Sequence, residues 1–139
     1  MRTPPQILIC DDDESDVVIL SLAFRQAAPR CELLHFPAPQ ELLDHLHACI
    51  ADQANLSSLP KLIITDIHMR TGDGIDLIEQ IRSNRVLTQI PVIVLTGSIN
   101  PGDRERAAAA GAATVLPKTA DIQELRLLAS DLCQQYVPQ

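Results

Sequence analysis

Aromatic residues are almost missing from this chain: two Phe, one Tyr and no Trp among 139 residues. Apolar residues still make up 46%, so Leu, Ile, Val and Ala must fill the core, and the length is enough to bury one. No apolar stretch approaches the ~20 residues that span a bilayer, and Met1-Arg2-Thr3-Pro4-Pro5 opens no signal peptide, so no membrane role is expected. CxxC pairs are absent too. Cys10, Cys31, Cys49 and Cys133 are widely spread, a pattern of reduced, mostly buried thiols in a cytoplasmic protein. Cys10, inside an apolar run, reads as a packing residue. Nor is there a basic surplus. The formal net charge is −7 and no basic patch is available to neutralise phosphates, which argues against nucleic acid as a partner. No internal repeat is visible, and Pro138-Gln139 is expected to leave no room for an output domain, so residues 1–139 read as one domain.

What is present is a regular alternation of strand and helix patterns. Ile7–Cys10, Cys31–Phe36, Lys61–Asp66, Pro91–Thr96 and Ala113–Leu116 are short apolar runs of the kind that form buried parallel strands. Helices are expected over Ser15–Ala28, Gln40–Ile50, Ile75–Asn84, Pro101–Ala110 and Ile122–Gln135. Val17, Val18, Leu20, Leu22, Ala23 and Phe24 give the first a wide apolar face, and Gly111 is placed to close the fourth. Five such alternations predict an α/β fold, a doubly wound five-stranded parallel sheet with right-handed crossovers and five helices.

Three carboxylate positions stand out against that frame. Asp11 and Asp12 end the first apolar run and Asp66 ends the third. In a parallel sheet both runs finish at the same edge, where α/β folds place ligands. At ~4 Å the acids would repel one another by roughly 1–4 kcal/mol per pair. A hard divalent cation with oxygen ligands, Mg²⁺ above all, removes that penalty and suits a phosphate-bearing group. Capping the first helix is the simpler use for Asp11 and Asp12, with Asp13 or Ser15 competing for it. Asp73-Gly74 reads as a turn and helix start. His68 has no second histidine at suitable spacing for side-chain ligation of a soft metal, and His45 and His47, two apart on a helix, cannot share a face.

With these residues in register, the chain resembles a stand-alone receiver domain of the two-component response regulators. Asp11-Asp12 matches the acidic pair, Asp66 the phosphoacceptor, and Asp66-Ile67-His68-Met69-Arg70-Thr71-Gly72-Asp73-Gly74 is similar to the family signature D-x-x-M-P-x-x-D-G. Thr96, followed by the small Gly97, ends the fourth strand, and Lys118 follows the fifth, as in the family. The resemblance implies a flavodoxin-like strand order 2-1-3-4-5. It also implies a Mg²⁺-dependent transfer from a phosphohistidine, or a small donor such as acetyl phosphate, to Asp66. On this reading Asp12, Asp66 and the backbone carbonyl of His68 hold the metal, Asp11 acts mainly through water, Thr96 donates to a phosphoryl oxygen, and Lys118 pairs with another. Such a protein is a self-limiting switch that hydrolyses its own acyl phosphate slowly, not a turnover enzyme.

The implied partners are a histidine kinase, hybrid or phytochrome-type, or a histidine phosphotransfer protein. The phytochrome-associated subgroup is suggested by the polar insertion at 51–60 and by Asp13-Glu14-Ser15-Asp16-Val17 and Ile90–Thr96. A homodimer through the fourth helix, fifth strand and fifth helix would use the Ala107–Ala113 stretch with Leu125, Leu127, Leu128 and Leu132; the simpler alternative is that these residues face the sheet. Three departures bear on output. Thr119 replaces the usual proline after Lys118, so a trans bond or a reorganised loop is expected there and the reach of Lys118 stays open. Arg70 replaces a proline and is expected in solvent. Val115 stands where many members carry a rotating aromatic ring. A receiver-like binding module that no longer switches is one alternative. A dehalogenase-type phosphotransferase is another, opposed by His68, where that class has a second Asp two residues after its nucleophile.

Overall fold

A computed structural model describes residues 4–51, 59–98 and 100–138. The strands are β1 (Gln6–Cys10), β2 (Glu32–Phe36), β3 (Leu62–Thr65), β4 (Val92–Thr96) and β5 (Thr114–Pro117). The helices are α1 (Glu14–Ala27), α2 (Pro39–Ala51), α3 (Gly74–Arg82), α4 (Pro101–Ala110) and α5 (Ile122–Tyr136). All five strands pair in parallel in the order β2-β1-β3-β4-β5, the order expected from the resemblance. Two small elements escaped the sequence pattern. One is a two-residue antiparallel ribbon joining His68–Met69 to Gly72–Asp73, and the other a 3₁₀ turn at Leu87–Gln89. Of the polar insertion expected at 51–60, residues 52–58 lie outside the described residues.

Side-chain alternation divides the core between the two sides of the sheet. Ile7, Ile9, Ile64, Ile93 and Leu95 pack with Val17, Leu20 and Phe24 of α1 and Leu125, Ala129 and Leu132 of α5. On the other face Leu8, Cys10, Ile63, Val92 and Val94 pack with Leu42 and Leu46 of α2, Ile78 and Ile81 of α3, and Ala107 of α4. Val18 and Leu22, counted in the apolar face of α1, stand in solvent instead. Of the residues considered for a contact between copies, Ala107, Leu125 and Leu132 are buried in the core and Leu128 packs against it, whereas Leu127 is 68% exposed. Ala108, Ala109 and Ala113 are exposed as well, so this surface is divided between the core and solvent.

Register decides what happens at the carboxyl edge. Cys10 pairs with Thr65 and Thr65 with Val94, so Asp11 and Asp66 step off neighbouring strands side by side. The Asp66 N–H donates to the Cys10 carbonyl at 3.1 Å, and the Lys118 N–H to the Thr96 carbonyl at 3.0 Å. Local caps leave these residues free. Asp13, not Asp11 or Asp12, caps α1 by accepting from the N–H groups of Ser15 and Asp16, and Asp73 caps α3 through Ile75.

Gly74 fixes how closely α3 approaches the acceptor segment. Its N–H donates to the Ile67 carbonyl at 2.8 Å, and a Cβ built here would overlap the carbonyl oxygen of Asp66. Backbone cannot yield as a side-chain tip can. Gly74→Ala is expected to lower stability by about 1–3 kcal/mol in urea unfolding. Gly97→Ala, where nothing lies within 4 Å of the new Cβ, should stay within about 0.5 kcal/mol of the parent.

Candidate functional site

The residues at the strand ends converge on one ammonium group. Lys118, at the end of β5, places Nζ 2.8 Å from Oδ2 of Asp66, 3.0 Å from Oδ2 of Asp11 and 2.7 Å from Oδ2 of Asp16. The described chain has no cis peptide, so a trans Lys118–Thr119 bond already permits the reach that the missing proline had left open. Burial alone would lower the Lys118 pKa, but hydrogen bonds to Asp16, Asp66 and Asp11 outweigh it and hold the ammonium above the usual lysine range.

Asp66 is 7% exposed, and each of its oxygens is occupied: Oδ1 accepts from the Ile67 N–H at 2.7 Å while Oδ2 faces Lys118. Asp11 is equally buried and accepts from the Asp13 N–H at 3.0 Å. Burial pushes its carboxyl above the ordinary value, with Asp66 adding to that and the Asp13 N–H and Lys118 opposing it. Asp12 turns the other way, its Oδ2 accepting from the Arg70 backbone N–H at 2.8 Å. The Arg70 guanidinium sits 3.9 Å from the same oxygen, with its side chain almost wholly in solvent as expected. Thr96 is buried, and its hydroxyl oxygen accepts from the Ser98 N–H at 3.1 Å. At His68 the expectation concerned the backbone carbonyl; the side chain turns away from this group, and its Nε2 reaches Asp103 of α4 at 2.7 Å.

Asp16 is the participant missed in the sequence. It sits in the first turn of α1, and its contribution depends on how that helix rotates against the sheet, which strand-end reasoning does not reach. Cys10 behaves as a packing residue. Burial, with Asp11, Asp12 and Asp66 nearby, pushes its thiol up to about 12 against an opposing hydrogen bond with Thr65. A thiol so disposed is neutral and inert at ordinary pH.

The oxygen donors of Asp11, Asp12, Asp66 and the His68 backbone have the hardness that Mg²⁺ selects. Among the described residues, however, no group of three or more His, Cys, Asp or Glu side chains is arranged as a metal-binding cluster. Lys118 engages Asp11 and Asp66, and the Arg70 N–H draws Asp12 aside. The donor chemistry fits; the side chains are set for an ammonium partner.

Comparison with known proteins gives a consistent family. The family model described as the response regulator receiver domain matches residues 7–130. The probable methanogenesis regulatory protein FilR2 of Methanothrix harundinacea is 23% identical over 94% of this chain and 83% of its own length. The DNA-binding transcriptional regulator NtrC of Klebsiella pneumoniae is 30% identical over 94% of this chain, which spans only 25% of that longer protein. Among solved structures, the phosphorylated cyanobacterial phytochrome response regulator RcpA superposes with a TM-score of 0.82 at 23% identity, covering 97% of this chain and 95% of that one. The Mn²⁺-bound form of response regulator Rcp1 superposes with a TM-score of 0.77 at 23% identity, covering 94% and 93%. No helix among the described residues is long and apolar enough to cross a membrane.

The shared ammonium has a measurable signature. Because the folded Lys118 pKa lies above its unfolded value, its stabilising contribution is full below about pH 10.4 and is lost as pH rises toward the folded value. Lys118→Met should remove that part of the alkaline decline. At neutral pH it should cost roughly 1–3 kcal/mol, less than a fully buried pair because the amine is partly exposed. Chemical denaturation between pH 7 and 11 measures both.

Proposed function

Because the chain belongs to the response regulator receiver domain family, we propose that it accepts a phosphoryl group on Asp66 from a histidine kinase and signals by the resulting change in affinity for a partner. The observation that carries this reading is the meeting of Asp66, Asp11 and Lys118 at one strand edge, with Asp66 buried and its Oδ2 2.8 Å from an ammonium. The family makes signalling proteins rather than turnover enzymes, and the proposed chemistry is confined to the protein's own phosphorylation and a slow hydrolytic return.

An Asp66 oxygen would attack the phosphorus of a phosphohistidine as the P–N bond breaks, leaving an acyl phosphate on the protein and a free imidazole on the donor. The Ile67 N–H keeps the carboxylate oriented through Oδ1. Lys118, already at Oδ2, would follow the charge onto a phosphoryl oxygen. The Thr96 hydroxyl, which uses only its acceptor capacity toward Ser98, keeps its proton free to donate to another. Asp12, Asp66 and the His68 carbonyl would hold Mg²⁺, with Asp11 acting mainly through water. When bound, the cation supplies charge neutralisation to the transferring group.

The partner is a histidine kinase, of the hybrid or phytochrome type, or a histidine phosphotransfer protein, met in the cytoplasm. Phytochrome association is supported by the fold likeness to RcpA. Homodimerisation through α4, β5 and α5 is supported by the exposed Leu127, Ala108, Ala109 and Ala113 among the residues considered for it.

Intact mass after incubation with Mg²⁺ and acetyl phosphate tests the acceptor directly. One phosphoryl adduct is expected, labile to hydroxylamine and absent with EDTA or in Asp66→Asn. If a phosphorylated kinase also fails to label the wild type, the chain is a constitutive binding module.

A further inference from the structure

Outside the acceptor site, a second buried carboxylate needs an explanation. Asp103, in the first turn of α4, is 3% exposed. It is not spent on capping, because Asn100 caps α4 by accepting from the Gly102 N–H. Burying a carboxylate is costly unless donors surround it, and Asp103 has three, each from a different segment. The Ser98 hydroxyl donates to Oδ2 at 2.5 Å, His68 Nε2 lies 2.7 Å from the same oxygen, and the Arg106 guanidinium donates to Oδ1. Ser98, then His68, then Arg106 hold the carboxyl below the ordinary carboxylate range. His68 comes from the segment just after Asp66, Ser98 from the loop after Thr96, and Arg106 from α4 itself. Ser98 also touches the site directly, since its backbone N–H donates to the Thr96 hydroxyl oxygen.

We infer that Asp103 is a positioning residue that ties the acceptor site to α4, so that movement of Thr96 reaches the helix through Ser98 and the Asp103 carboxylate. This rests on the reading of Asp66 as phosphoacceptor. A hydroxyl can donate and accept at once, so Thr96 can turn its proton to a phosphoryl oxygen without releasing Ser98. The loop then follows Thr96, and Ser98 pulls on Asp103. The tie matters in this chain because Val115, half-buried on β5 beside the α4 face of the core, has no ring to carry the displacement. His68 anchors the same carboxylate to the acceptor segment, so α4 is joined to both sides of the site.

The test is amide hydrogen exchange over residues 101–110, with and without acetyl phosphate and Mg²⁺, with intact mass recorded on every sample. Wild type is expected to form the adduct and to change α4 exchange several-fold. Ser98→Ala should form the adduct but lose the α4 response, and Ser98→Thr, which keeps the hydroxyl, should restore it. Asp103→Asn should lose the response as well. A purely structural role would instead alter α4 exchange equally with and without the adduct, leaving the response itself intact. An undiminished response in Ser98→Ala and Asp103→Asn overturns the tie while leaving the acceptor intact. Absence of the adduct in wild type overturns the acceptor reading, and the tie with it.

Discussion

One ammonium group standing among three carboxylates sets the terms for the whole carboxyl edge. Lys118 follows β5, Asp11 follows β1, Asp66 follows β3 and Asp16 belongs to α1, so a single cation joins four elements. Asp11 and Asp66 are both buried, where repulsion between like charges is strongest. Lys118 stands between them, its ammonium 3.0 Å from Asp11 and 2.8 Å from Asp66, and offsets that repulsion. The parallel register of β1, β3 and β4 fixes this meeting, because a one-residue slip of any strand would move all of its side chains to the opposite face.

The run Asp11-Asp12-Asp13 shows how neighbouring residues of one type acquire different work. As the chain passes from strand to helix, successive side chains leave in different directions. Asp11 points under Lys118, Asp12 toward the Arg70 N–H, and Asp13 back onto the first turn of α1. The same economy recurs at α4, where Asn100 caps the helix and Asp103 is released for contacts across the loops.

The strands were legible because each is buried on both faces and therefore reads as a short continuous apolar run. Their ends, and those of the helices, shifted by a residue or two where a cap decided the boundary, as Asp13 does by starting α1 at Glu14. The ribbon at His68–Asp73 is too short to have a period. The 3₁₀ turn at Leu87–Gln89 sits beside carbonyls that Arg82 gathers, those of Thr88 and Ile90, a contact no pattern reports. At the site, Asp11 and Asp66 could be located from strand ends alone, and Thr96 and Lys118 through the family resemblance. Asp16 could not, since its direction depends on helix rotation. The link from His68 to Asp103 joins the segment after β3 to the first turn of α4, 35 residues on, and leaves no periodic trace.

A polar link between site and helix differs physically from an aromatic one. A ring transmits displacement by filling or vacating volume, so it works through packing and tolerates imprecise alignment. A carboxylate held by three donors transmits through direction and distance, and weakens steeply when either changes. The carboxylate itself is buried while the His68 and Arg106 side chains are more than half exposed, so the link is anchored at Asp103 and open at two of its ends. A phosphoryl group shifts a conformational equilibrium only through contacts that differ between states. With Val115 offering no ring, the contacts proposed to differ toward α4 are the hydrogen bonds among Thr96, Ser98, Asp103 and His68, beside those of Lys118 at the site itself. Any output from such a site would be carried by α4, the element those bonds hold.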